Sequence, residues 1–339
     1  MNSMKKYGIL TGILSVVILC TLQIAQGQQQ PVFSQYPLNK FLYNPALAGV
    51  DGITTIGLTA RQQWSGLPDP PSTFAFTAQT RVLEDSYIMR LLTARKNPEK
   101  ASRRGRVGLG VNVYNDHNGA INRSGFQLTY AYHINWNDKA QLSFGLSAAG
   151  FQFKLDDKDA VILDADDPLL RNNRHSFFVP DFNFGTYLLT DQFYAGIGIS
   201  DLLGSYLKLG RYKFENYRTL RHYYLMSGYR FYAGDNFRIE PSFLLRTTRE
   251  EVQCDFNLTG TYQRNYWIGM SYRTGNTFVF MGGLNVQNFF LGYAYDVGGG
   301  YIKRYTNGSH ELMFGMRFGE SSIRRMRWLR KDVKSFEDR

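Results

Sequence analysis

The sequence predicts an all-β protein, an antiparallel transmembrane outer-membrane β-barrel of about fourteen strands. Three observations predict it: an export signal at the start, period-two alternation of apolar and polar residues through the rest, and a regular exchange of short turns with long loops. Composition agrees. Aromatic residues reach 15% with 23 Tyr and 25 Phe, Gly is abundant at 33, Pro is scarce at 10, and mean hydropathy is −0.33. A chain whose lipid-facing and lumen-facing residues alternate has this profile, because its apolar residues never accumulate into one long run.

The first element, residues 1–27, reads as a secretory signal peptide. Lys5 and Lys6 precede an apolar run from Ile9 to Ile24, and Ala25 and Gly27 suit a cut after Gly27. Thr11, Ser15, Thr21 and Gln23 interrupt the run and QQQ follows it, which disfavours a permanent spanning helix. Acylation at Cys20 is disfavoured because Leu19 stands where a small residue is expected. Cleavage leaves Cys254 without a disulfide partner in the chain, so pairing and packing must supply stability. Losing Lys5 and Lys6 from the 39 basic residues leaves 37 against 28 acidic ones, a net charge of +9. For an exported chain the matching anions are lipid groups rather than nucleic acid.

Residues 28–52 form an N-terminal periplasmic or plug segment, and the barrel is expected over 53–319. Its strands are read at 53–62, 72–81, 106–115, 122–136, 140–153, 179–189, 192–200, 220–232, 236–247, 251–262, 265–273, 277–286, 288–296 and 309–318. Phe126, Leu128, Tyr130, Tyr132, Ile134 and Trp136 alternate with Gln127, Thr129, Ala131, His133 and Asn135, which gives one face for lipid and one for water. In 140–153 the apolar parity changes at Phe151 and Phe153; a β-bulge near Ala149 and Gly150 would restore the facing, and the alternative is that the strand end leaves the membrane.

Connection lengths supply an independent test. With the first strand running outward, WNDKA, TDQ, AGDN, QRN and VQN become short inner turns, and 154–178, 201–219 and 297–308 become long outer loops. Both termini are then periplasmic. The connection 82–105, ending RKNPEKASRRGR, is a long basic exception on the inner side.

Projecting the alternation inward places Arg230, Arg238, Glu240, Arg246, Asp255, Arg273, Asp296 and Arg317 in the lumen. An ion-pair network bracing a filled or plugged lumen is favoured over a selective pore. The acidic loop LDDKDAVILDADDP, residues 155–168, lacks both the spacing and the turn glycine of a calcium loop, so a solvated loop is the favoured reading. No catalytic, cofactor or metal site is expected: the five His carry no zinc spacing, no G-x-S-x-G is present, and the Gly-rich stretches have no helix behind them. A membrane-embedded hydrolase with Ser and His contributed by different strands stays a minor alternative.

The last segment, 320–339, is a basic periplasmic tail. Ile323, Met326, Leu329, Val333 and Phe336 fall on one face of a short C-terminal amphipathic helix, and seven residues are Lys or Arg. Skimming lipid and docking a partner are equally weighted for it.

FSQYPLNKFLYNPALAG (33–49), ARQQWSGLPDPPSTF (60–74), VPDFNFGTYL, FYAGIGISDL, EPSFLLR, LGYAYDVG and GSHELMFGMRF occur in that order. In these blocks the chain resembles the PorP/SprF family of type IX secretion system membrane proteins over nearly all its mature length. LPDPP and the long tail after Phe318 depart from the family pattern. The resemblance implies an outer-membrane accessory component, not an enzyme, acting in export or surface attachment of adhesin-like cargo. It implies as partners the periplasmic ring, accessory lipoproteins and the cargo, with no cofactor. Candidate partner-contact residues are Phe33, Ser34, Gln35, Tyr36, Asn44 and Pro45 near the N-terminus and Arg324, Arg325, Arg327, Trp328 and Arg330 in the tail. Pro45 holds Asn44 extended, which suits a fixed strap at the periplasmic mouth or in the lumen. A channel for small solutes is the alternative function.

Overall fold

The computed structural model describes residues 30–82, 106–119, 121–137, 140–155, 176–204, 206–207, 217–234, 236–299 and 301–318. Fourteen antiparallel strands close into a barrel. They are β1 Thr54–Gln62, β2 Ser72–Val82, β3 Val107–Asn118, β4 Ile121–Asn137, β5 Ala140–Leu155, β6 Ser176–Thr190 and β7 Phe193–Ser200. The rest are β8 His222–Tyr229, resuming after Arg230 as Phe231–Ala233, β9 Phe237–Thr247, β10 Val252–Tyr262, β11 Tyr266–Arg273, β12 Thr277–Val286, β13 Phe289–Val297 and β14 Ser309–Phe318. Each strand pairs with its sequence neighbours, and β1 closes the barrel on β14 from Thr54↔Phe318 to Gln62↔His310. Closure leaves no unpaired edge, which hydrocarbon would not tolerate. Among the described residues no helix is long and apolar enough to cross a membrane.

Alternation produces the two surfaces. In β1, Leu58 is 53% exposed on the outside, while Thr59 and Arg61 are each 5% exposed inside. Leu128, Tyr130, Ile197, Ile268, Phe280 and Leu312 continue the outer apolar surface round the barrel. The start of β1 and the end of β14 lie at one rim, here the terminal mouth, together with the β4–β5, β6–β7, β8–β9, β10–β11 and β12–β13 turns. The opposite rim is the far mouth. It is uneven: β6 pairs with β7 only over Phe184–Leu189, so its Ser176–Asn183 stretch stands above β7.

The bulge expected near Ala149 and Gly150 is absent. Pairing of β5 runs unbroken through Gln127↔Ala149 and Phe126↔Gly150, and the one register shift of the β4–β5 pair lies between Asn135 and Asn137. Phe151 and Phe153 keep inward parity, and the Arg123 guanidinium sits 5.8 and 5.7 Å from their ring centres. A cation over the ring faces makes an inward aromatic pair acceptable, so parity need not be restored. The expected C-terminal helix and the acidic loop from 156 onward lie outside the described residues.

Candidate functional site

Residues 30–53 do not hang below the barrel. They run through its lumen as a strap that touches strands on all sides. Phe33, Tyr36, Phe41, Tyr43, Leu47 and Val50 are buried in one cluster with inward side chains of the wall. Each contributes on the order of 1.5–3 kcal/mol by leaving water.

The strap begins at the far mouth, where Gln30 Nε2 donates to Asp201 (2.5 Å) and Tyr224 OH donates to Gln30 Oε1 (2.9 Å). The Ser34 and Gln35 amides donate to the Glu311 carboxylate at 2.6 and 2.9 Å, and Ser34 Oγ donates to Asp296 at 2.6 Å. Tyr36 OH donates to Ser242 Oγ and accepts from Asn257, while the Tyr43 hydroxyl accepts from the Phe33 amide. Lys40 then reaches the terminal side, pairing with Glu240 at 3.1 Å and lying 3.7 Å from the centre of the Tyr194 ring. The strap ends against β2, where Arg81 donates to the Gly49 and Val50 carbonyls.

Local sequence explains the shape between these anchors. Asn44 is extended (φ −147°, ψ 111°), as the following proline requires, and its Oδ1 caps the 3-10 turn Pro45–Leu47 by accepting from the Ala46 amide at 2.9 Å. Its Nδ2 donates to the Thr186 carbonyl at 2.9 Å, and the residue is 0% exposed. Under this turn five strands in succession place a small residue at one register level: Gly108↔Ala131, Ala131↔Gly145, Gly145↔Gly185 and Gly185↔Gly198. A Cβ on Gly108 would collide with the Ala48 carbonyl, on Gly145 with the Pro45 backbone, on Gly185 with the Asn44 amide group, and on Gly198 with the Tyr43 carbonyl. The row is a seat cut to the strap's backbone. We expect Asn44→Ala to weaken strap docking by about 1 kcal/mol, the usual worth of an N-cap, seen as faster amide exchange at Ala46.

The charges form a belt toward the far mouth. Arg61 bridges Asp296 (2.7 Å) and Glu311 (3.2 Å), Arg273 bridges Asp255 (3.0 Å) and Asp296 (3.6 Å), and Arg246 meets Asp255 at 2.5 Å. All six side chains are nearly or wholly buried, so mutual neutralisation is what makes them tolerable. Ser34 hydrogen-bonds into the belt through Arg61 as well, tying strap to wall. Toward the terminal mouth Glu240 is held by Lys40 and Arg230.

A cavity of about 70 Å³ at the far mouth is lined by Gln30, Pro31, Tyr43, Asp181, Asn183 and Asp201, among others. Among the described residues no group of three His, Cys, Asp or Glu is placed to hold a metal ion.

The eight charges projected inward do face the lumen, Arg238 through Thr261 and Arg317 over the Phe290 ring. Sequence reasoning misses Arg61, Glu311, Asp181 and Arg81, although the parity of Arg61 with Gly57 and Thr59, and of Glu311 with Met313, signals their direction. Of the candidate contact residues, Phe33, Ser34, Gln35, Tyr36, Asn44 and Pro45 lie together in the buried strap. Arg324, Arg325, Arg327, Trp328 and Arg330 lie outside the described residues.

A family model described as "Type IX secretion system membrane protein PorP/SprF" matches residues 25–316. The chain has no match among curated protein sequences. Similar solved structures include a monoaromatic hydrocarbon channel, CymD, at 12% identity and TM-score 0.46, covering 87% of this chain and 96% of that one. The toluene transporter TbuX of Ralstonia pickettii is 10% identical at TM-score 0.46, covering 82% and 93%. The outer membrane protein Omp33 of Acinetobacter baumannii is 7% identical at TM-score 0.42, covering 79% and 100%.

Proposed function

Because this outer-membrane chain belongs to the PorP/SprF family of type IX secretion system membrane proteins, we propose that it works as a closed docking scaffold for export or surface attachment of adhesin-like cargo. It acts through protein–protein contacts and performs no catalysis. The observation that carries this reading is the strap: a lumen whose centre is occupied by hydrogen-bonded chain from Gln30 to Val50 is built to be filled rather than to conduct. In this reading the terminal mouth faces the periplasm and meets the periplasmic ring and accessory lipoproteins. Two basic stretches of sequence adjoin strand ends at that mouth, the β2–β3 connection with RKNPEKASRRGR and the tail 320–339. A sequence rich in Lys and Arg that adjoins strand ends at one mouth suits an acidic protein surface, and the tail's Arg324, Arg325, Arg327, Trp328 and Arg330 are the contacts to test first.

Affinity purification of the tagged protein from mild-detergent outer membranes, with and without residues 320–339, tests the proposal. Ring components or one large surface adhesin should co-purify with the full chain, and deletion of the tail should remove the periplasmic partners. Recovery of the barrel alone, with robust single-channel conductance of the intact protein, would favour transport of small solutes instead.

A further inference from the structure

We infer that the strap is threaded, so that the amino terminus left by signal cleavage is presented at the far mouth, on the opposite side of the membrane from the exit of β14. The inference rests on cleavage after Gly27 but not on which mouth faces the periplasm; with the terminal mouth periplasmic it replaces the expected periplasmic amino terminus by one on the outer side.

Direction follows from the anchors. The chain enters β1 at the terminal mouth, where Thr54 pairs with Phe318. Going backward along the strap, the contacts pass from Arg81 near the terminal end of β2, through Thr186 in β6 and Glu240 in β9, to Asp296 and Glu311 near the far ends of β13 and β14. Gln30 then bonds Asp201, which directly follows the far end of β7. Cleavage after Gly27 leaves two residues ahead of Gln30. Two residues span at most about 7 Å. The eight residues of β7, one of the shortest strands, rise roughly 27 Å. The new terminus therefore cannot return to the terminal mouth. Asp181 and Asp201 line the cavity beside Gln30, and one Asp181 carboxylate oxygen is buried without a hydrogen bond, so this mouth suits a positively charged amino terminus.

Single cysteines read by a membrane-impermeant maleimide on intact and permeabilised cells test the threading. Gln29→Cys probes the terminus, Arg249→Cys in the β9–β10 connection marks the far mouth, and Asn288→Cys in the β12–β13 turn marks the terminal mouth. Native Cys254 is 0% exposed and supplies the unlabelled baseline. In intact cells position 29 should label only if position 249 does, position 288 should behave oppositely, and permeabilisation should expose whichever positions were protected. Position 29 following position 288 instead of position 249 in intact cells would overturn the inference. Should the thiol be shielded, a short epitope inserted between Gly27 and Gln28 gives the same two outcomes by antibody binding. Labelling of position 288 in intact cells would reverse the orientation proposed above while leaving the threading to be decided by position 29.

Discussion

Gly145→Val is expected to expel the strap and open the lumen while leaving the barrel closed. A Cβ at Gly145 meets backbone atoms of Pro45 and Ala46, which have no rotamer to escape into. Overpacking against side chains costs about 1–3 kcal/mol, and an immovable backbone raises that cost until the turn Pro45–Leu47 loses its seat. Asn44 then leaves Thr186, and the buried cluster of Tyr43, Leu47 and Val50 loses its inner wall. The expected result is stepwise conductance in planar bilayers where the native protein shows little, with protease cleavage between residues 30 and 50. The barrel's heat-dependent gel shift should persist, since the strand ladders do not involve the inward Cβ. Gly260→Val in β10 is the control, because a Cβ there meets nothing within 4 Å. An intact strap and unchanged conductance in Gly145→Val would mean that the small-residue row does not seat it.

The second large effect is expected from Arg61→Met. Arg61 is shared by Asp296 and Glu311, both nearly buried, and also holds Ser34. Without it two carboxylates face one another with Arg273 left as the belt's contact to Asp296 at 3.6 Å. Breaking a buried pair from one side typically costs about 3–5 kcal/mol, because the remaining charge stays desolvated. The variant should lose its folded gel mobility at a clearly lower temperature than the native barrel. Adding Glu311→Gln removes one of the stranded charges and should recover a large part of the loss. If the double variant is no more stable than the single, the belt does not act through charge compensation.

Much of this architecture is local in origin and is therefore legible in the amino-acid sequence. Period-two alternation is a property of each strand alone, which is why all fourteen strands appear within a few residues of their expected limits, and why the inward direction of Arg246, Asp255, Arg273 and Asp296 follows from parity. The extended Asn44 is equally local, dictated by the ring of Pro45. The secretion-system family is legible in short blocks such as 33–49 and 60–74, and the family match over 25–316 agrees with it.

What required the tertiary structure is whatever depends on register between strands distant in sequence. Gly108, Ala131, Gly145, Gly185 and Gly198 look like ordinary strand residues until the turns align them into one row. Arg61 and Asp296 are 235 positions apart, and only barrel closure brings them to 2.7 Å. Phe151 and Phe153 break the apolar-out rule because Arg123 faces them across the β4–β5 ladder, a partner no single-strand pattern contains. The course of the strap belongs to the same class: alternation says which side chains face inward, but the polar and small groups waiting on the inner wall decide what fills the space between them.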